Sequence, residues 1–431
     1  MNRSISAVLL GTFTLRFSTG LTGGLLVYYL NSLPDYGGAH VASTTVGILT
    51  ATYFLAELVL SPPFGYLSDR YGAHRIMQIG PIFGVVAVLI TAVTVNLWII
   101  GGTRLLEGAA AAASIPSILG YIALATSGDQ SIRGRAVSRF EAATLLGIGF
   151  GIVAAGPIFE AVGRVGFLVN GGIYVLSFAI YRWGVAELHH APESDDGADD
   201  RDVRPQRLDL GRYRRILGSS RVWLLAPTWI ALNAVLGSWT TQSVFQLVRE
   251  PPPHFENQLL MQGISPTSVS IAFVAVGSVF VAGLWYWGNR FKRYRRTSII
   301  AIGLAGALVM LAAGLALNHS EGWPMPIQLL LVVVAGIGLF VMSGATPAAL
   351  GLLADITESY PADRGAIMGL YSVFLGVGQI LGALVSGPAG DLAGIDGLFI
   401  TSSVLIVIAL LPLNRLRSSE HLVGARLVPA R

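Results

Sequence analysis

The sequence predicts an all-α membrane protein of twelve transmembrane helices in two six-helix bundles, and three observations support this fold class. The chain has 431 residues, of which 53% are hydrophobic and only 12% charged, with a mean hydropathy of +0.65. A soluble domain typically carries about 25% charged residues. The apolar residues form runs long enough to cross a hydrocarbon core about 30 Å thick as helices. One long polar stretch divides these runs into six and six.

The predicted spans follow the apolar runs in chain order. In the first half they are 5–33, 43–64, 75–95, 97–125, 138–162 and 166–186. In the second half they are 221–247, 266–288, 297–317, 325–354, 364–389 and 397–414.

These spans predict three parts of the chain. Residues 1–187 form an N-terminal six-helix bundle, 188–220 a cytoplasmic linker, and 221–431 a C-terminal bundle with a short tail. The linker changes from acidic to basic along its length, which fits either a solvated connection or, at 208–217, a short interfacial helix with a basic face.

Arginine placement predicts the orientation. The connections assigned to the side of the termini hold most of the arginines, whereas the opposite side holds only Arg164 and Arg249. Basic residues concentrate in cytoplasmic loops, so we expect a multi-pass protein of the cell membrane with both termini in the cytoplasm. The net charge of +4 is explained by these loops and implies no nucleic-acid partner.

Composition also excludes several kinds of chemistry. The chain has no cysteine, and its seven histidines show no metal-ligand spacing. No phosphate-binding or dinucleotide-binding glycine motif is present. We therefore expect no metal, no cofactor and no enzymatic activity. Movement of a small molecule would have to draw on an ion gradient, most simply of protons.

A glycine-framed loop follows the second span and reads Gly-Tyr-Leu-Ser-Asp-Arg-Tyr-Gly-Ala-His-Arg over 65–75. We call it the latch loop. Gly65 and Gly72 permit a tight turn. Asp69 can accept hydrogen bonds at the start of a neighbouring helix, and Arg70 or Arg75 can pair with an acid across an interface. The loop is then either a conformational latch or a static turn with solvated charges.

The latch loop resembles the loop signature of the major facilitator superfamily, G-x-L-a-D-r-x-G-r-r, although Ala73 and His74 stand where two basic residues are usual. The run from Arg104 to Gly108 is similar to the R-x-x-x-G pattern of that family. With the topology, the resemblance covers essentially the whole chain. It implies a monomeric secondary transporter that moves a small molecule between its two bundles by alternating access.

The fifth span adds a glycine-rich run that ends in Gly156 and Pro157 and resembles the motif of the antiporter branch of that family. Glu160 departs from the motif, since a glycine pair is usual there. Gly151 and Gly156 would let helices pack closely in lipid, and Pro157 would kink its helix. The alternative is a tightly packed helix pair without a functional role.

Four charged residues are predicted to lie deep within the spans: Arg16, Glu57, Arg104 and Glu107. Each would cost about 2.5–3.5 kcal/mol to insert at the bilayer centre, so each needs a partner. One interpretation is two structural ion pairs, Arg16 with Glu57 and Arg104 with Glu107. In the other, one member of each pair meets substrate or proton.

The second half offers neutral groups to a cavity, above all Trp229 and Asn233, which share a helix face. Proton-coupled efflux of a small organic molecule is the leading functional hypothesis. Uptake or exchange of an organic anion or nutrient is the alternative, because two cavity arginines would suit an anion. A sensor on the same fold that does not transport is a third hypothesis.

Overall fold

A computed structural model of the chain describes residues 3–126, 130–188, 222–288, 290, 294–358 and 364–419. These residues are helical except for short connections, and among them no strand is found. Residues 189–221 include nearly all of the predicted linker and lie outside the described part, so the three predicted parts of the chain stay a prediction.

The first half contains α1 (Arg3–Asn31), α2 (Ser43–Tyr71), α3 (Ala73–Ile76), α4 (Ile79–Val93), α5 (Leu97–Ala125), α6 (Gln130–Val162) and α7 (Gly166–Gly184). The second half contains α8 (Val222–Val248), α9 (Pro266–Gly288), α10 (Arg296–Asn318), α11 (Met325–Met342), α12 (Ala345–Glu358) and α13 (Arg364–Ser419). Short 3₁₀ turns lie at Leu33–Tyr36, Gly163–Val165 and Pro253–Phe255.

Nine stretches of the described residues are long and apolar enough to cross a membrane. Two of them, Arg135–Gly184 and Ser372–Asn414, contain a break and so hold two crossings each. The first break is the 3₁₀ turn after α6, and the second lies at Ala393 and Gly394 inside α13, where Gly394 has a φ of +58°. With α8, which is not among the nine, the described residues make the twelve crossings that the sequence predicts.

Helix α8 carries amides and hydroxyls among the apolar side chains of its buried surface. Six of its polar residues are buried: Thr228, Asn233, Ser238, Gln242, Ser243 and Gln246. A helix with this composition needs neighbours that satisfy the polar groups, since lipid cannot. It is therefore held inside the protein rather than at its surface.

Two clusters of buried apolar residues form the interior. One belongs mainly to the first half and is built around large aromatic side chains, including Tyr29, Tyr174 and Tyr181. The other belongs to the second half and includes Trp229, Trp287 and Phe399. Each half thus has its own core, as expected for two bundles that move relative to each other.

An even number of crossings brings Arg3 and Ser419 to the same end of the molecule. We call this the termini end, and the opposite one the far end. The latch loop lies at the termini end, because α2 starts at the far end with Ser43 and finishes at Tyr71. The break in α13 lies at the far end.

Candidate functional site

Charged side chains from α1, α2 and α5 lie deep in the first half. Arg104 and Glu107 stand one turn apart on α5 and form an ion pair, with relative exposures of 6% and 4%. The Arg104 guanidinium also lies over the ring of Tyr53 on α2, 5.8 Å from its centroid. The pair that the i, i+3 spacing predicts is therefore present in the structure, next to an aromatic side chain of the neighbouring helix.

Glu57 lies on the face of α2 that points into the molecule. One stripe at helical spacing contains Thr50, Tyr53, Glu57 and Ser61, all of them partly exposed. The opposite stripe is apolar and exposed, as a lipid-facing surface would be; it holds Ile48, Leu55 and Val59. Glu57 is thus an interior acid that remains partly accessible.

The predicted pair between Arg16 and Glu57 is not formed in this structure. Among the described residues, no arginine or lysine nitrogen lies within 4.0 Å of the Glu57 carboxylate. Arg16 is 6% exposed and acts on Glu57 only through its electric field. A helical-wheel projection of the sequence could not predict the absence of this ion pair, because the side-chain direction of Arg16 depends on how α1 packs against α6.

Glu141 on α6 is a further acid near Arg16 that sequence reasoning missed. It is exposed, and the charge of Arg16 acts on it as on Glu57. The predicted span began at 138 and left Glu141 near its edge, whereas α6 begins at Gln130 and carries this residue three turns inward. The earlier start of α6 could have been inferred from the polar residues before the apolar run, which are compatible with a helix.

In the second half, Trp229 and Asn233 are buried between α8 and α13. Asn233 donates a hydrogen bond from Nδ2 to the backbone oxygen of Trp229 at 2.8 Å, and it packs against Gly378. Their relative exposures are 3% and 2%. In this state they present little surface to a ligand.

Of the two glycines that frame the latch loop, only Gly72 forms a turn: it has a φ of +92° and separates α2 from α3. Gly65 does not form the expected turn, because residues 65–71 continue α2 as helix, where Gly65 faces Pro116 of α5 with room to spare. Asp69 and Arg70 are exposed. Arg75 forms an ion pair of 3.0 Å with Glu187, which belongs to the same half. In this state, Arg75 therefore links α3 to the end of the first half rather than bridging the halves.

The halves meet at the far end, and Ser43 is at the centre of that contact. Its Oγ accepts hydrogen bonds from Gln246 at 2.7 Å and Arg249 at 3.1 Å, and its backbone oxygen accepts one from Gln242 at 2.7 Å. Ser43 is fully buried. Burial lowers the pKa of the Arg249 guanidinium, and the nearby Asp391 offsets only part of this effect. The arginine nevertheless stays charged.

Further contacts between the halves continue this closure. Asn31 donates to the backbone oxygen of Val248 at 3.3 Å, and Tyr28 donates to that of Pro266 at 3.4 Å. Somewhat deeper, the Thr50 hydroxyl donates to that of Thr241 at 3.2 Å. Every hydrogen bond between described residues of the two halves lies at the far end or between it and mid-depth, so the molecule is closed at the far end.

Gly151 and Gly156 of α6 lie where backbones touch. A Cβ on Gly151 would overlap the backbone oxygen of Phe17 in α1, and one on Gly156 would overlap that of Pro266 in α9. Gly156 thus belongs to the contact between the halves, whereas Gly151 belongs to the core of the first half. Pro157 follows inside α6 without ending the helix.

A comparison with protein families gives a match over nearly the whole chain. The profile described as Major Facilitator Superfamily matches residues 8–251 and 256–423. Among curated proteins, the quinolone resistance protein NorA of Staphylococcus aureus (strain MSSA476) is 23% identical over 395 residues, which is 91% of each chain. Multidrug resistance protein 1 of Bacillus subtilis (strain 168) is 21% identical over 362 residues, or 82% of each chain.

Solved structures show the same fold at lower identity. The nucleoside transporter NupG superposes with a TM-score of 0.68 at 15% identity, over 97% of this chain and 99% of that one. A bacterial homolog of the human lysosomal transporter Spinster, described as inward-facing and unoccupied, gives a TM-score of 0.68 at 13% identity, over 99% and 98% of the two chains.

Proposed function

Because the chain belongs to the major facilitator superfamily and is therefore a membrane transporter rather than an enzyme, we propose that it exports a small organic molecule in exchange for protons. The observation that carries the proposal is Glu57, an acid on the interior face of α2 that is partly exposed and unpaired among the described residues. The two resistance proteins of similar sequence support efflux as the direction.

Glu57 is suited to carry the proton because its surroundings can change. Arg104 and Glu107 lie on the same helix, so a movement of one helix against another does not separate them. Glu57 has to find its counter-charge, Arg16, on another helix. A group couples a gradient to transport only if its protonation differs between the two states, and a contact between two helices can differ in this way.

The excess of arginine at the termini end supports a cytoplasmic position for both termini. With this orientation, the closed far end faces the exterior, as it does in an inward-facing state. A transporter in that state would take substrate from the cytoplasm, which is where an exporter has to bind it.

The charges at the interior surface favour a neutral or cationic amphipathic substrate. Among the described residues, Glu57 and Glu141 are the accessible acidic groups there, whereas Arg16 and Arg104 are each only 6% exposed. Trp229 and Asn233 of the second half are 3% and 2% exposed, so they add little surface for a ligand in this state. Uptake or exchange of an organic anion is the second candidate. It has less support, because Arg16 or Arg104 would have to turn toward the substrate and both are buried in this structure.

The test is flux in liposomes that contain the purified protein, with and without an imposed pH gradient. A lipophilic dye cation and an aromatic carboxylate serve as the two probes. Accumulation of the cation that depends on the gradient supports the proposal, and accumulation of the carboxylate supports the alternative. Binding of either probe without flux would instead indicate a sensor.

A further inference from the structure

Helix α2 is capped by an acid from the other half of the molecule. The residue before the helix, Ala42, has no side-chain acceptor for the free N–H groups of the first turn. Asp391 of α13 supplies it, since its carboxylate accepts from the backbone N–H of Ser43 at 2.7 Å and of Thr44 at 2.9 Å. A carboxylate in this place satisfies two donors and meets the positive end of the helix dipole.

Helix α9 is capped in the same way in the opposite direction. Glu160 of α6 accepts a hydrogen bond from the backbone N–H of Thr267 at 3.1 Å, in the first turn of α9. One turn earlier on α6, Gly156 packs against the backbone of Pro266, which brings the two helices together there. Glu160 occupies the position at which the sequence departs from the antiporter pattern.

The two caps occupy equivalent places in the two sets of six crossings. In each half, the fifth crossing ends with an acid and the second crossing begins at the far end, and each acid caps the helix of the other half. Both contacts exist only while the halves meet at the far end. The two contacts therefore stabilise the state with the far end closed and not the state with it open. An interaction shifts an equilibrium between two conformations only if it differs between them in this way.

We propose that Asp391 and Glu160 are positioning residues for transport, which hold the far end closed by capping α2 and α9 across the two halves. We call the two contacts the acid clamp. The proposal rests on the proposed function only in taking the far end to open during the cycle. The clamp predicts that loss of either acid raises the population of molecules open at the far end, whatever the substrate is.

The experiment uses a single introduced cysteine as the reporter. The chain contains no cysteine of its own, so no other thiol has to be removed first. A Thr241→Cys substitution places one thiol just inside the clamp, on the hydroxyl that bonds Thr50. A membrane-impermeant maleimide added at the far end reacts with this thiol only while that end is open. The labelling rate, measured without substrate, reports the open population.

Asp391→Asn and Glu160→Gln are close in shape to the parent residues and remove the charge. We expect each to raise the labelling rate about fivefold, the factor that corresponds to losing about 1 kcal/mol of interaction between the carboxylate charge and the helix dipole, and the double variant to raise it further. Asp396→Asn is the matched control: Asp396 lies in the same break of α13 but bonds Asn318 and His319 of its own half. It should leave the rate unchanged.

Labelling at the parental rate in both single variants, or an equal increase in the Asp396 variant, would overturn the clamp. Glu160 is exposed, so its variant keeps the test open should Asp391→Asn fail to fold. A higher labelling rate together with no flux of any probe would support the clamp and count against the proposed function. Flux of a probe with an unchanged labelling rate would support the proposed function and count against the clamp.

Discussion

Glu57 and Glu107 are both acids in the interior of the first half, and they differ in what holds them. Glu107 has its arginine on its own helix, so no movement of helices separates the two. Glu57 lies next to a helix interface, and Arg16, whose charge acts on it, belongs to another helix. The first arrangement suits a permanent ion pair, and the second suits a group that gains and loses a proton.

The first prediction concerns this acid. Glu57→Gln should abolish accumulation of substrate driven by a pH gradient while leaving exchange of substrate down its own gradient, because the amide keeps the shape but cannot change its charge. The measurement is flux in liposomes with and without the gradient. Glu321→Gln, at an exposed loop position, serves as the control and should transport like the parent.

A Gln variant that still concentrates substrate would move the coupling role elsewhere, with Glu141 as the next acid to replace.

At the scale of single residues, the sequence predicts the Arg104–Glu107 pair, because both residues are on one helix at a spacing that fixes their contact. It does not predict the separation of Arg16 and Glu57 or the position of Glu141. These depend on side-chain directions and on where α6 starts.

At the scale of helices, close backbone contacts hold α6 in place. Gly149 and Gly151 are neighbours in the same glycine-rich run, yet a Cβ on Gly151 would overlap α1, whereas one on Gly149 would meet nothing within 4 Å. The sequence predicts the glycine run as a packing surface but does not say which glycine makes the contact. That choice depends on the rotation of the helix about its axis.

The second prediction follows from this difference. Gly151→Ala should destabilise the protein by about 1–3 kcal/mol, the usual cost of overpacking, and lower the melting temperature in detergent. Gly149→Ala should leave it unchanged or raise it slightly, since alanine favours helix by about 1 kcal/mol over glycine. Equal melting temperatures for the two variants would contradict the packing described for α1 and α6.

The third prediction concerns the latch loop. Asp69 is exposed while the far end is closed. We expect it to cap a helix of the second half when the termini end closes instead, by the same chemistry as the acid clamp. Asp69→Asn should therefore slow turnover several-fold while leaving expression and substrate affinity largely intact. The check is the exchange rate at saturating substrate, and turnover like the parent's would make the loop a simple connector.

For the whole molecule, the twelve crossings and the family are confirmed by the match over nearly the whole chain and by the solved structures of the same fold. They were predictable because apolar run length is a strong signal in membrane proteins. Closure at the far end was not predictable. One sequence has to support two states of similar energy, and its pattern does not say which one a structure will adopt.

The fourth prediction tests the orientation. Trp98 at the start of α5 is 91% exposed at the far end, and Tyr71 at the end of α2 is 51% exposed at the termini end. A single cysteine introduced at Trp98 should react with an impermeant maleimide in intact cells. One at Tyr71 should react only after the membrane is permeabilised, and the reverse pattern would place the termini outside.

The unequal distribution of charge between the halves has a consequence for how such a protein adapts. Among the described residues, every buried arginine, glutamate and histidine lies in the first half, while the buried polar groups of the second half are neutral. Selection on a new compound can therefore remodel the second half without disturbing the buried charged groups of the first. Under the proposed function, mutations that broaden the range of compounds should accumulate on α8 and α13, and those that change coupling to the proton gradient on α1, α2 and α5.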